Sequence, residues 1–125
     1  MIVGSGIDIT EVDRIHEAIQ RFGSRFLNRV FTEAEIRYCE SKKNSAERYA
    51  ARFAAKEAAM KAIGTGLRGG VTWKDVEVVH APGGRPSLRL SGRAAEFADR
   101  LGARHTALSL THTAQTAMAM VVLED

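Results

Sequence analysis

Apolar and polar positions alternate from the start of the chain. In "MIVGSGIDIT" a period of two puts Val3, Ser5, Ile7 and Ile9 on one face, and Ile2, Gly4, Gly6, Asp8 and Thr10 on the other. That is the pattern of a strand. Aspartate is depleted from strands, yet Asp8 stands here beside two positions that carry no side chain. Something can approach that carboxylate closely. The spacing then turns helical. Thr10, with Asp13 three residues on, predicts a capped helix over about residues 11–21, and Thr32 with Glu35 repeats the device at "FTEAEIRYCESKK". A longer helix is expected over about residues 46–63, ended by Gly64.

Further on, "WKDVEVVHA" and "PSLRLS" read as strands joined through the turn-rich "PGGR". "SGRAAEFADRLG" reads as a short helix ending at Gly102, and "HTALSLTHT" and "QTAMAMVVLED" as a hairpin. The predicted order is strand, three helices, two strands, helix, two strands. This is an α+β fold with a largely antiparallel sheet packed against a long helix, in a single domain over residues 1–125.

The long helix holds the second unusual carboxylate. In "RYAARFAAKEAAMKAIGTG", Tyr49, Phe53, Met60 and Ile63 form the large apolar stripe, and alanines at 50, 51, 54, 55, 58, 59 and 62 keep the helix slim. Glu57 lies at the stripe's edge and Lys61 one turn later. Taken alone, the two form an i,i+4 ion pair, and Asp8 alone reads as a turn or capping carboxylate. If the first strand packs beside the long helix, Asp8 and Glu57 converge, and a cation between them relieves their repulsion. Magnesium suits two carboxylates, since it keeps its other positions for water and phosphate oxygens. Lys61 would face the same phosphates. The Gly64-Thr65-Gly66 stretch offers backbone N–H groups to an anion. As a phosphate loop of the Walker type, however, "GTGLRGG" fails: it follows its helix and lacks the Gly-Lys-Ser/Thr ending.

Composition narrows the partners. The chain carries 18 Lys and Arg against 15 Asp and Glu, a net charge of +3, so acidic partners are worth considering. No run of five basic residues occurs, and eight aromatic residues among 125 are few for a stacking-based nucleic-acid binder. The single cysteine, Cys39, excludes an intrachain disulfide. No apolar run reaches the ~18 residues of a membrane span, and no secretory signal is visible. The expectation is a cytoplasmic protein that binds neither membrane nor nucleic acid.

"GIDITEVDRI" at 6–15 and "RFAAKEAAMKAIGTG" at 52–66 together resemble the holo-[acyl-carrier-protein] synthases of the 4′-phosphopantetheinyl transferase family. "GGRP" at 83–86 and "SLTHT" at 109–113 extend the likeness. The resemblance implies that coenzyme A donates its phosphopantetheine arm to a serine of apo-acyl carrier protein, releasing 3′,5′-ADP. It implies Asp8 and Glu57 as Mg2+ ligands and catalytic residues together with Lys61, which would also contact the donor's phosphates. Gly64, Thr65, Gly66, Pro86, Thr111 and His112 would border the coenzyme. The nucleophile belongs to the partner, so none is required here. For the general base, Glu57, a water on the cation and the more remote Glu35 stay open. His16, His80 and His105 lack metal-ligand spacing.

Arg14, Arg21 and Arg25 share a face if the first helix continues past Gly23. The resemblance gives that basic face an acidic carrier protein, serving fatty-acid or polyketide synthesis, as its partner. It also implies a homotrimer with active sites between subunits. Two other readings compete: a non-enzymatic basic module that binds an acidic protein, and, from the charge alone, a nucleic-acid-binding domain.

Overall fold

A computed structural model describes residues 1–125. The elements run β1 (Ile2–Glu11), α1 (Val12–Phe22), α2 (Ser24–Val30), α3 (Glu33–Glu40), α4 (Ser45–Ile63), β2 (Val76–His80), β3 (Pro86–Leu90), α5 (Gly92–Arg100), β4 (His105–His112) and β5 (Thr116–Glu124). Pairing is antiparallel throughout, in one three-stranded sheet ordered β1-β5-β4 and a separate β2-β3 hairpin. The α+β fold read from the pattern is the fold observed, with the strands divided between two sheets.

Helix α4 lies across one face of the three-stranded sheet, and the side chains of β1 explain how. A Cβ on Gly4 would sit 2.2 Å from the carbonyl oxygen of Ala62, and one on Gly6 would sit 2.0 Å from that of Ala58. The missing side chains of β1 are therefore filled by the backbone of α4, made slim by alanine. What approaches the strand beside Asp8 is this helix. Around it, Met60, Ile63, Val76, Val121 and Leu123 form the larger core, while Val12, Ile15, Phe31 and Tyr49 form a second one under α1 and α3.

Two buried polar groups tie the helices to the hairpin. Lys56 Nζ and Glu35 Oε1 are 2.8 Å apart with both side chains fully buried. Lys56 also donates to the carbonyls of Trp73 and Val76, and Glu35 accepts from the backbone N–H groups of Thr32 and Val78. Every charged atom thus has partners, as a buried pair requires. Glu35 completes the expected capping box with Thr32. Its burial and its lysine also remove it from the candidates for general base.

Three local expectations are corrected. Thr10 does not cap α1: it stays in β1 opposite Ala117, and α1 begins after Glu11 without a side-chain cap. Gly23 takes a φ of +56°, which a glycine tolerates, and ends α1, so Arg25 belongs to α2, a short helix the pattern did not reveal. Trp73–Asp75 forms a 3₁₀ turn rather than the start of a strand.

Candidate active site

The strand β1 and helix α4 bring Asp8, Glu57 and Lys61 together. Lys61 Nζ donates to Asp8 Oδ1 at 3.2 Å and to the carbonyl of Ile7 at 2.9 Å. The second carboxylate oxygen of Asp8 accepts from the Thr10 hydroxyl at 2.7 Å, and Thr10 is itself buried. Lys61 is thus paired with Asp8 rather than with Glu57, its neighbour at i−4. Burial holds the Glu57 carboxyl above its ordinary value, and the Asp8 carboxylate pushes it further up, against Lys61 and Arg14. Asp8 and Arg14 are thus near enough for their charges to act on Glu57. Two hard oxygen donors fit a divalent cation that takes its remaining ligands from water and phosphate.

Downstream, Gly64 caps α4 with φ +89°, and the N–H groups of Gly64, Thr65 and Gly66 all point at the carbonyl of Met60, at 3.0, 3.3 and 3.4 Å. In this conformation those three N–H groups close the end of the helix.

Pro86 and His112 meet elsewhere. With Tyr38, Arg48, Arg52, His80 and other residues they line a cavity of about 230 Å³. The Arg52 side chain is 3% exposed, its Nε has no partner, and its guanidinium lies 4.1 Å from the centre of the Tyr38 ring. A buried cation with no carboxylate beside it marks a place for an anion. Arg48 and Arg52 escaped the sequence reading. The signal was there: neither the residues three or four before Arg52 nor those three or four after it are acidic. Thr111 is not with them. Side chains alternate along β4, so Thr111 faces away from His112, opposite Met118 on the far side of the sheet. Around α4, Arg48 and Arg52 project about 180° from Glu57 and Lys61 by helical geometry.

That far side of the sheet is apolar and uncovered, with Ile7 54%, Ile9 61% and Met120 47% exposed. On α1, Arg14 and Arg21 are exposed and share a face, while Arg25 on α2 joins Phe22, Phe26 and Arg29 around a surface cavity of about 300 Å³. The expected basic face is therefore spread over two helices.

Comparison with known proteins identifies the family. Residues 4–120 match the model of the 4′-phosphopantetheinyl transferase superfamily. The chain is 65% identical over 125 residues to the holo-[acyl-carrier-protein] synthase of Koribacter versatilis (strain Ellin345), covering 100% of both chains. Among solved structures it is similar to the holo-[acyl-carrier-protein] synthase of Neisseria meningitidis, with a TM-score of 0.90, 33% identity and 100% of both chains covered. It is also similar to the Bacillus anthracis synthase in complex with coenzyme A (3′,5′-ADP), with a TM-score of 0.80, 38% identity, and 98% and 96% of the two chains covered.

Proposed function

The chain belongs to the 4′-phosphopantetheinyl transferase superfamily, and from that premise we propose how its residues carry the phosphopantetheine arm of coenzyme A to a serine of apo-acyl carrier protein. Asp8 and Glu57 would hold a divalent cation, which we assign as Mg2+ from the all-oxygen pair of carboxylates. The bound ion supplies neutralisation of the pyrophosphate charge and activation of the leaving group. Lys61, paired with Asp8 in the cation-free chain, would be free to turn its ammonium to the phosphates once the carboxylates held the ion. The serine oxygen attacks the phosphorus that bears the arm, the phosphoanhydride bond breaks, and 3′,5′-ADP departs. With Glu35 locked to Lys56, the serine proton is left to Glu57 or to a water beside the cation.

The observation that carries this reading is the convergence of Asp8, Glu57 and Lys61 at the β1–α4 contact. We assign the coenzyme's nucleotide end to the cavity of Arg48, Arg52, Pro86 and His112, because a buried guanidinium with no carboxylate beside it and a free Nε–H suits a phosphate. The two sites lie on opposite sides of α4, so one coenzyme spans them only if different subunits supply them. The uncovered apolar face of β1, β4 and β5 supports such an assembly, which we assign as a homotrimer. An acidic carrier protein would dock on Arg14, Arg21 and Arg25, with Arg14 leading its serine toward Glu57. No helix is long and apolar enough to cross a membrane, and we assign the reaction to the cytoplasm.

The test is conversion of an apo-acyl carrier protein by the chain with coenzyme A and Mg2+, followed by intact-protein mass spectrometry. The carrier should gain one phosphopantetheine arm, and a chelator should prevent it. An unmodified carrier, or modification indifferent to chelation, would contradict the assignment.

A further inference from the structure

Glu47 stands in the first turn of α4 and His112 at the end of β4, far apart in the chain. The Glu47 carboxylate lies 2.9 Å from His112 Nδ1, and both side chains are 23% exposed. A carboxylate cannot donate when ionised, so Nδ1 must carry the proton and donate it to Oε1. This decides what the ring offers elsewhere. His112 also lines the cavity that contains Arg48, Arg52 and His80. With Nδ1 engaged, Nε2 is the ring nitrogen left for a ligand in that cavity. Were the ring turned over, a carbon would take its place.

The other groups facing the cavity make His112 the adjustable member. Arg52 is fixed under Tyr38 and bonded to the carbonyl of Arg48. His80 is held below its ordinary value, first by burial and then by Arg52 and Lys42, so it adds little positive charge. The His112 ring has Glu47 as its one hydrogen-bond partner.

We infer that Glu47 is a positioning residue for coenzyme binding: it fixes the ring of His112 so that Nε2 meets a phosphate of the nucleotide. This rests on the assignment of that cavity to coenzyme A. A ring held by Glu47 on one side and a phosphate oxygen on the other donates from both nitrogens, the form in which it is also charged. The role is in binding, remote from the carboxylates that act on the transferred group.

The test compares Glu47→Ala, Glu47→Gln and His112→Gln with the parent chain. Glu47→Ala should raise KM for coenzyme A by about tenfold, the worth of a charge-assisted hydrogen bond, with kcat and KM for the carrier protein within about twofold of parent. Glu47→Gln keeps an oxygen for Nδ1–H and should recover most of the loss, a rescue that mere destabilisation of α4 would not give. In 15N spectra of histidine-labelled protein, with His112 assigned by its substitution and 3′,5′-ADP as probe, Nδ1 should be protonated in the parent. In Glu47→Ala the proton should shift toward Nε2. Parental KM for coenzyme A in Glu47→Ala, or an unchanged His112 spectrum, would overturn the proposal. So would parental KM in His112→Gln, while leaving the transfer reaction standing. Absence of transfer by the parent chain would instead remove the functional reading, and the ring spectrum, which needs no turnover, would still decide the pairing.

Discussion

Asp8 and Glu57 are acidic side chains set where each raises the energy of the other, and that tension is the root of the site. Glu57 is partly buried, faces the Asp8 carboxylate, and holds its proton more tightly in the folded chain than in the unfolded one. The sign follows from linkage. A carboxyl raised by folding favours the folded state while it is protonated, and that contribution is lost as pH climbs from its ordinary value of 4.5 through the raised one. The cation-free chain should therefore be less stable at neutral pH than Glu57→Gln. Thermal melts of the two chains should converge near pH 4.5, with the advantage of the variant growing as pH rises. Added Mg2+ should raise the melting temperature of the parent and leave the variant's unchanged. Equal melting of both chains across this range would mean that the carboxylates do not interact.

At the scale of elements, the contact of β1 with α4 makes the site. Gly6→Ala drives a methyl group to 2.0 Å from the carbonyl oxygen of Ala58, and backbone on both sides leaves no easy relief. Overpacking of this kind costs about 1–3 kcal/mol or more. Separation of Asp8 from Glu57 should lower transfer as well as stability, seen in denaturant melts beside activity. The buried pair of Glu35 and Lys56 offers a different test. Glu35→Ala leaves an ammonium in the core and should cost about 3–5 kcal/mol, whereas replacing both residues by apolar ones of similar volume should cost much less. Denaturant midpoints of the single and double variants decide it.

Much of this contact was legible in the sequence. Glycines alternating on one face of a strand, and alanines along a helix, announce two surfaces that approach closely, and the carboxylates next to them mark what the approach brings together. The cap at Thr32 was legible because its box is local. The supposed cap at Thr10 failed because the strand runs one residue further and spends that hydroxyl on Asp8. Helix α2 is only seven residues long and begins at a glycine kink, too short for its periodicity to stand out. The pairing of His112 with Glu47 depends on tertiary placement across 65 residues of chain, which no local pattern encodes.

The whole molecule presents two surfaces for partners. The uncovered face of the three-stranded sheet exposes Ile7, Ile9 and Met120, a patch that costs free energy in water and is suited to a second copy of the chain. Ile9→Lys should abolish self-association in sedimentation velocity. It should also lower transfer, because the cavity and the carboxylate pair then no longer meet across a boundary. A monomeric variant with full activity would remove the shared-site arrangement. On the proposed docking mode, the basic surface of α1 and α2 would act on encounter. Arg14→Ala with Arg21→Ala should raise KM for an acidic carrier protein far more than KM for coenzyme A, and the difference should shrink as salt is added. Equal use of the carrier by variant and parent at low salt would contradict this.

The central claim is that one divalent ion sits between Asp8 and Glu57 and grips the pyrophosphate of coenzyme A. Anomalous diffraction from crystals grown with coenzyme A and Mn2+ in place of Mg2+ tests it most directly. The account predicts a single strong peak within coordination distance of a carboxylate oxygen from each residue and of a coenzyme phosphate. A peak bound to neither side chain, or coenzyme seated with no metal between them, would contradict it.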